Sequence, residues 1–395
     1  MNDHMNIMIA PMQTNPAIKK EKLLFLTLSV FSETGGIQKV CRTMSSALAE
    51  LTVNENELLV LSLCDHTKDL DNRYLKTSSF KGFRYNKLWF TLFAIQKSFG
   101  ATKILLSHVN LIPIVFFIKL IKPGTQIILL IHGTEVWRAM PFWKSLFLRN
   151  RVCIWSVSHF TAQQAARRHG IALQDIHVLH NCLDPFFPVP VNFSKPPELL
   201  KKYKLTAKQP VLLLITRISR HEREKGYDQL IKCLPELLKE FPDLCYLMAG
   251  KTDHEERRRL EDLLKKNNLQ NHVKLLGFIP EEDLISHYLL ADIFILTSKK
   301  EGFGLVIIEA AACGRKIICG DQDGSKEAIL DGKLGEIINP DSSAQLQSTI
   351  RQLLKAKSSL NRTKIIQRTC IRQFNYPAYK QQVSKLLYTN TKTRV

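Results

Sequence analysis

Residues 298–314 read SKKEGFGLVIIEAAACG, and the reading of this stretch decides the fold. The apolar run Ile293–Leu296 just before it reads as a strand. A glycine-rich loop then turns the chain, and a helix begins near Gly304. Free N–H groups at such a helix start can hold a pyrophosphate. Glu301 in the loop and Glu309 in the helix stand eight residues apart. Glu309 follows two isoleucines and precedes three alanines, where an isolated charge is costly, so the carboxylate is expected to be paired or functional. A carboxylate there can accept from two adjacent hydroxyls, as on a ribose.

Outward from this point, short apolar runs alternate with longer amphipathic segments. In the second half the strand candidates are Pro210–Thr216, Leu244–Ala249, Val273–Leu276, Ile293–Leu296 and Lys316–Cys319. The first half offers Lys22–Val30, Glu57–Cys64, Lys103–His108, Gln126–His132, Val152–Ser156 and Ile176–Leu179. Continuous apolar strands interleaved with helices predict an α/β chain with parallel sheets covered on both faces. At 395 residues the chain exceeds one core's usual reach, so two domains are expected. Asp184 to Pro197 carries five prolines and no helical period, which suits a linker. The expected division is residues 1–190, residues 191–374, and a last segment, 375–395, with a helix placed to return to the first domain.

Ligands bind outside the carboxyl ends of strands in open parallel sheets, so the residues just past each strand matter most. Arg217 follows one strand, and Lys225-Gly226 opens the next helix after the charged loop Ser219 to Glu224. A guanidinium fork and a mobile ammonium at a strand-to-helix turn suit a phosphate. In the first half, Gly35-Gly36 precede a helix and permit close backbone approach to an anion or sugar, or simply a tight turn. His132 ends a strand and precedes Gly133, where it either faces the ligand edge or caps a turn. Ser156 and Ser158 are candidate N-caps, and His180-Asn181 carry turn chemistry.

The formal net charge of +20 favours an anionic partner without naming one. No zinc-finger spacing, aromatic RNA-binding signature or basic region with heptads is present, so no nucleic acid is expected. Nine cysteines, scattered singly, suit a reducing compartment. Met1 to Pro16 lack a long apolar run, and Leu111 to Ile131 is broken by Lys119, Lys122, Pro123 and Gly124. A cytoplasmic location is the expectation, with contact at the inner face of a membrane left open. The aromatic and basic segment Lys81–Lys97 reads first as an amphipathic helix on the sheet, and second as a membrane-surface element.

Together these residues resemble the retaining glycosyltransferases of the large family that includes glycogen-synthase-like, sucrose-synthase-like and phosphatidylinositol mannosyltransferase enzymes. The E-x7-E motif, Glu301 and Glu309, is the most specific match. The resemblance implies the GT-B fold: two Rossmann-like domains facing across a cleft, with the acceptor on the first and the nucleotide-sugar donor on the second. It implies that Glu309 binds the nucleotide ribose and Glu301 the donor sugar. Gly302, Phe303, Gly304, Leu305 and Val306 form the donor loop, with the last three offering N–H groups to the phosphates. Arg217 and Lys225 match the family's cationic pair on the departing diphosphate, Gly35-Gly36 the N-terminal glycine loop, and His132 the histidine beside the reacting carbon. Three departures stand out: an Arg-to-Lys spacing of eight, Thr216 in place of a glycine, and Arg315 in place of a proline.

The expected reaction moves a hexosyl unit, with retention, from a UDP- or GDP-sugar to a hydroxyl acceptor. A lipid-linked glycan of cell-envelope, exopolysaccharide or lipopolysaccharide assembly is one such acceptor. No D-x-D-like pair marks the diphosphate position, so neither metal nor cofactor is expected. The competing readings are a nucleotide-sugar epimerase or phosphorylase on the same fold, and a non-catalytic basic protein that binds membrane or nucleic acid.

Overall fold

Apolar runs become strands in this chain because helices cover both faces of each sheet. The structure, a computed structural model, describes residues 21–357 and 359–388, so Met1 to Pro16 lie outside the described residues. The first sheet contains β1 (Leu23–Thr27), β2 (Leu58–Ser62), β3 (Phe80–Gly82), β4 (Lys103–Leu106), β5 (Gln126–Ile131), β6 (Cys153–Ser156) and β7 (Ile176–Val178). Their order is β3-β2-β1-β4-β5-β6-β7, parallel throughout, with Phe25 in register with Val60 on one side and Leu105 on the other. The second sheet contains β8 (Val211–Ile215), β9 (Cys245–Ala249), β10 (Val273–Gly277), β11 (Ile293–Leu296), β12 (Lys316–Gly320) and β13 (Glu336–Ile338). Their order is β10-β9-β8-β11-β12-β13, again parallel. Both sheets reverse strand order at their centre, between β1 and β4 and between β8 and β11, where ligands of such sheets bind.

Two strands were not expected from the sequence, β3 and β13, and both are three-residue edge strands. An edge strand has one neighbour and part of its surface in water, so it needs no continuous apolar run.

Alternation of side chains divides the first domain's core in two. Leu23, Phe25, Val60, Leu105 and Trp155 pack under the helix Gly36–Leu51. Leu24, Leu26, Ile104, Leu106 and Ile127 pack under the helices Lys87–Ser98, Ile112–Ile121 and Phe142–Arg151. The last helix, Tyr376–Tyr388, joins the first of these cores through Tyr379, Val383 and Leu387, which recur at helical spacing. Tyr376 Oη donates to Glu50 Oε1 at 2.7 Å and Lys380 Nζ to Glu50 Oε2 at 2.5 Å, so this helix is tied to the first domain. The nine cysteines form no disulfide, and seven are buried. No helix among the described residues is long and apolar enough to cross a membrane.

Candidate active site

The loop after β11 is shaped from beneath. Asp323 is fully buried and its carboxylate accepts the N–H of Glu301 at 2.7 Å and of Ser325 at 2.9 Å. Burial and the nearby charge of Glu301 push the Asp323 carboxyl up to about 6. Gly304 has φ +96°, a left-handed conformation that glycine tolerates, and it starts the helix Leu305–Ala312. The N–H groups of Leu305 and Val306 therefore lie in the first turn of that helix, where no carbonyl of the helix itself reaches them.

Lys225 Nζ donates to Glu301 Oε2 at 2.6 Å and to the Lys300 carbonyl at 3.2 Å. Burial pulls the ammonium down, but Glu301 outweighs it and holds Lys225 above its ordinary value. Arg217 does not join them directly. Its side chain is 68% exposed and its Nη1 donates to Glu222 Oε1 at 3.3 Å, while Glu222 in turn acts on Lys225 electrostatically. Glu222 thus acts on both cations, with Arg217 exposed at the rim and Lys225 held further in by Glu301.

Glu309 is buried and both of its oxygens are engaged. Tyr288 Oη donates to Oε2 at 2.7 Å, and Lys39 Nζ, from the first domain, donates to Oε1 at 2.5 Å. The Lys39 bond crosses the cleft. Beside it Arg42 Nη2 donates to both oxygens of Glu281, at 3.1 and 2.8 Å. The cavity left next to Glu309 and Leu305 measures about 10 Å³, room for one water molecule. Lys39 thus occupies the side of Glu309 that faces the first domain.

On the first domain, Gly35 is the extended residue before the helix Gly36–Leu51, and a side-chain carbon at Gly36 would meet open space. The loop leading there hangs on Asp65, a residue that sequence reasoning missed. Its fully buried carboxylate accepts the N–H groups of Val30, Phe31 and Ser32 at 2.8, 3.1 and 3.1 Å, and the hydroxyls of Ser29 and Ser32 at 3.1 and 2.5 Å. A signal did exist: an acid directly after a buried strand run must find donors. His132 is less free than a ligand-facing histidine. Its ring Nε2 lies 2.9 Å from the Ser107 carbonyl and its N–H donates to Glu135 Oε1, while burial lowers the ring's basicity. Its carbonyl is the group that faces the donor loop: a Cβ on Gly302 would lie 1.7 Å from it.

The domains also meet where Ser158 Oγ donates to the Gly302 carbonyl at 2.6 Å. Glu327 of the second domain sits at the start of the helix His159–His169, accepting the N–H groups of His159 and Phe160, each at 2.8 Å. His180 Nε2 pairs with the same carboxylate at 2.8 Å, and Phe303 stacks on the His180 ring at 5.7 Å. His159, His180 and Glu327 offer ligand atoms within 4.8 Å of one another, but the Glu327 oxygens already receive these donors, so they form a clamp. Phe303 is buried in that clamp and presents no side chain to a donor.

The departures are accommodated structurally. Arg315, where a proline was expected, is buried and donates to the carbonyls of Cys313 at 2.9 Å and Ala291 at 3.0 Å. Thr216 presses its carbonyl against Gly250, where a Cβ would lie at 1.7 Å.

With this geometry in hand, residues 197–369 match the model of the family described as glycosyl transferases group 1. A GDP-mannose-dependent alpha-(1-6)-phosphatidylinositol monomannoside mannosyltransferase of Mycolicibacterium smegmatis is 29% identical over 220 residues, covering 53% of this chain and 55% of that relative. The alpha-D-kanosaminyltransferase of Streptomyces kanamyceticus is 25% identical over 246 residues, covering 58% and 62%. The chain thus spans about half the length of the curated relatives it matches, and under two thirds of either of these two. Among solved structures, HepE of Anabaena in complex with UDP superimposes with TM-score 0.76 at 18% identity, covering 93% of this chain and 99% of that one. Sucrose-phosphate synthase of Thermosynechococcus elongatus gives 0.72 at 19%, covering 93% and 98%. Residues 197–369 are thus similar to the glycosyl transferases group 1, and the chain has a GT-B fold of two Rossmann-like domains.

Proposed function

We propose that the chain is a retaining glycosyltransferase that moves a hexosyl unit from a UDP- or GDP-sugar to a hydroxyl acceptor. The observation that carries this reading is the arrangement of Glu301, Glu309 and Lys225 around a single helix start, facing the Gly35-Gly36 helix of the other domain. Lys225 lies 2.6 Å from Glu301, and Glu309 is reached from across the cleft by Lys39.

On this reading the ribose takes the place of Lys39 on Glu309, and the donor sugar bonds Glu301. The diphosphate lies against the N–H groups of Gly304, Leu305 and Val306. The acceptor oxygen attacks the anomeric carbon as the bond to the diphosphate breaks. The departing diphosphate takes the acceptor's proton on the same face, which retains configuration. Lys225 at the site and Arg217 at its rim stabilise the leaving charge, as does the helix dipole, each contact supplying a few kcal/mol in the transition state. His132 acts through its carbonyl and its place in the wall. The acceptor proposed is a lipid-linked glycan of cell-envelope assembly at the inner membrane face, in keeping with the lipid named in the mannosyltransferase's description.

Arg217→Ala and Lys225→Ala test the reading. Each is expected to lower kcat strongly with the fold retained, Lys225, with 15% of its side chain exposed, more than the exposed Arg217. Unchanged turnover in both would overturn the assignment. Protection against thermal unfolding by UDP- and GDP-sugars in parallel identifies the donor base.

A further inference from the structure

Three metal-ligating side chains converge where the two domains meet, away from the donor loop's acids. His159 opens the helix His159–His169, His180 follows β7 just before the proline-rich linker, and Glu327 lies on the second domain's helix Ser325–Ala328. Each offers one ligand atom, and the three atoms lie within 4.8 Å of one another. The His159 and His180 rings stand 5.7 Å apart at 71°.

The hydrogen bonds of this clamp leave it open to a cation. An ionised carboxylate has room for about four donors. Glu327 takes the N–H of Phe160 on Oε1, and the N–H of His159 and the His180 ring on Oε2. The two main-chain donors stay in place whatever the rings do. The His180 contact, by contrast, is a proton shared between two ligand atoms, and metal ions displace such protons. The His159 ring is exposed, and among the described residues nothing bonds its nitrogens. Burial raises Glu327, but His180 and the two N–H groups outweigh it and hold its carboxyl below the ordinary value. The oxygens are therefore ionised and ready to ligate.

Two imidazole nitrogens and one carboxylate oxygen make an open zinc site, with water in the fourth position. The set lacks the thiolates that copper(I) favours and the oxygens that magnesium or calcium requires. Ligand atoms around tetrahedral zinc stand roughly 3.3 Å apart, so the His180–Glu327 pair opens by about half an ångström. Both rings line a cavity of about 470 Å³, shared with His177 and Gln382, which has room for the water.

We infer that His159, His180 and Glu327 bind a divalent transition-metal ion, zinc by their chemistry, which ties the two domains together. His180 ligates through Nε2 as a neutral imidazole, its ring proton moving to Nδ1. The tie reaches the donor loop: Phe303 stacks on the His180 ring, and a Cβ on Gly324 would lie 2.1 Å from the Gly302 carbonyl oxygen. The inference stands apart from the transferase reading, because zinc binding needs neither donor nor turnover.

The test is calorimetric titration of the chelator-treated full chain with zinc chloride, and with magnesium chloride alongside. The expected result is one zinc ion per chain, no saturable magnesium binding, and a Tm raised by zinc, since the ion binds the folded state. His159→Ala should weaken zinc binding roughly tenfold or more, because losing a ligand costs at least what losing an outer-shell partner does. It keeps every bond of the clamp, in which only the main-chain N–H of His159 takes part. Glu327→Gln retains an oxygen for the N–H donors and should weaken binding similarly. His254→Ala, an exposed histidine elsewhere on the second domain, should leave it unchanged. Cobalt(II) in place of zinc should give the visible absorption of tetrahedral coordination in wild type, lost in His159→Ala. Four results would overturn the inference: no saturable zinc binding, equal affinity for magnesium, unchanged zinc affinity in His159→Ala, or unchanged affinity in folded Glu327→Gln.

Discussion

Replacing Glu309 with glutamine separates its bonds to Tyr288 and Lys39 from its proposed role toward a donor ribose. The carboxylate accepts from Tyr288 at 2.7 Å and from Lys39 at 2.5 Å, with 6% of its side chain exposed. Glutamine keeps an oxygen for Tyr288 but turns an amide donor toward the Lys39 ammonium. The lost charge-assisted bond is worth about 1.5–3 kcal/mol. Part returns because Lys39, 12% exposed and already 3.8 Å from Glu281, can swing toward that acid. A stability loss of about 1–2 kcal/mol is expected, lowering Tm by a few degrees. On the proposed reading the ribose loses the same ionic acceptor, so donor affinity should fall by roughly 10- to 100-fold. Calorimetric titration of UDP- and GDP-sugars into wild type, Glu309→Gln, Lys39→Met and the double variant reads this directly. Lys39→Met removes the competitor and should tighten donor binding, but only where Glu309 is intact. Donor affinity in Glu309→Gln within twofold of wild type, with the fold retained, would refute the reasoning.

Other predictions concern the supports of the cleft. Asp65→Ala strips five donors of their acceptor and should destabilise the first domain by about 3–5 kcal/mol, read by urea unfolding. Gly302→Ala places a methyl group 1.7 Å from the His132 carbonyl, so it should push the domains apart, visible as a larger radius of gyration in small-angle scattering. Asp323 has its folded-state pKa raised from 3.8 to about 6, so its favourable contribution is full below the lower value and lost as pH rises through the upper. Stability should therefore decline by on the order of 3 kcal/mol across that window, and Asp323→Asn should flatten this part of the Tm-against-pH curve.

The sequence showed the fold through its apolar strand runs and lost it at two short edge strands, β3 and β13. Runs such as Leu23–Thr27 and Ile293–Leu296 are apolar at nearly every position because helices cover both faces. Phe80–Gly82 and Glu336–Ile338 carry no such run and pair on one side only. The donor loop was legible because its glycines, its two acids and the helix start are contiguous in the chain. The features that escaped depend on distant partners. Asp65 holds a loop more than thirty residues earlier, and Lys39 meets Glu309 across 270 residues. Arg217 illustrates the other limit: residue type suggested an inward ligand, whereas Glu222 holds it at the rim.

The central claim is that this cleft transfers a sugar, and product analysis tests it most directly. Wild-type protein would be incubated with UDP- and GDP-hexoses and a panel of glycosides and phosphatidylinositol, with nuclear magnetic resonance following the anomeric protons. The account predicts nucleoside diphosphate and glycosylated acceptor in equal amounts, the donor's anomeric configuration retained, and loss of both in Lys225→Ala. Free diphosphate without acceptor product, an inverted anomer, or equal yield from Lys225→Ala would contradict it.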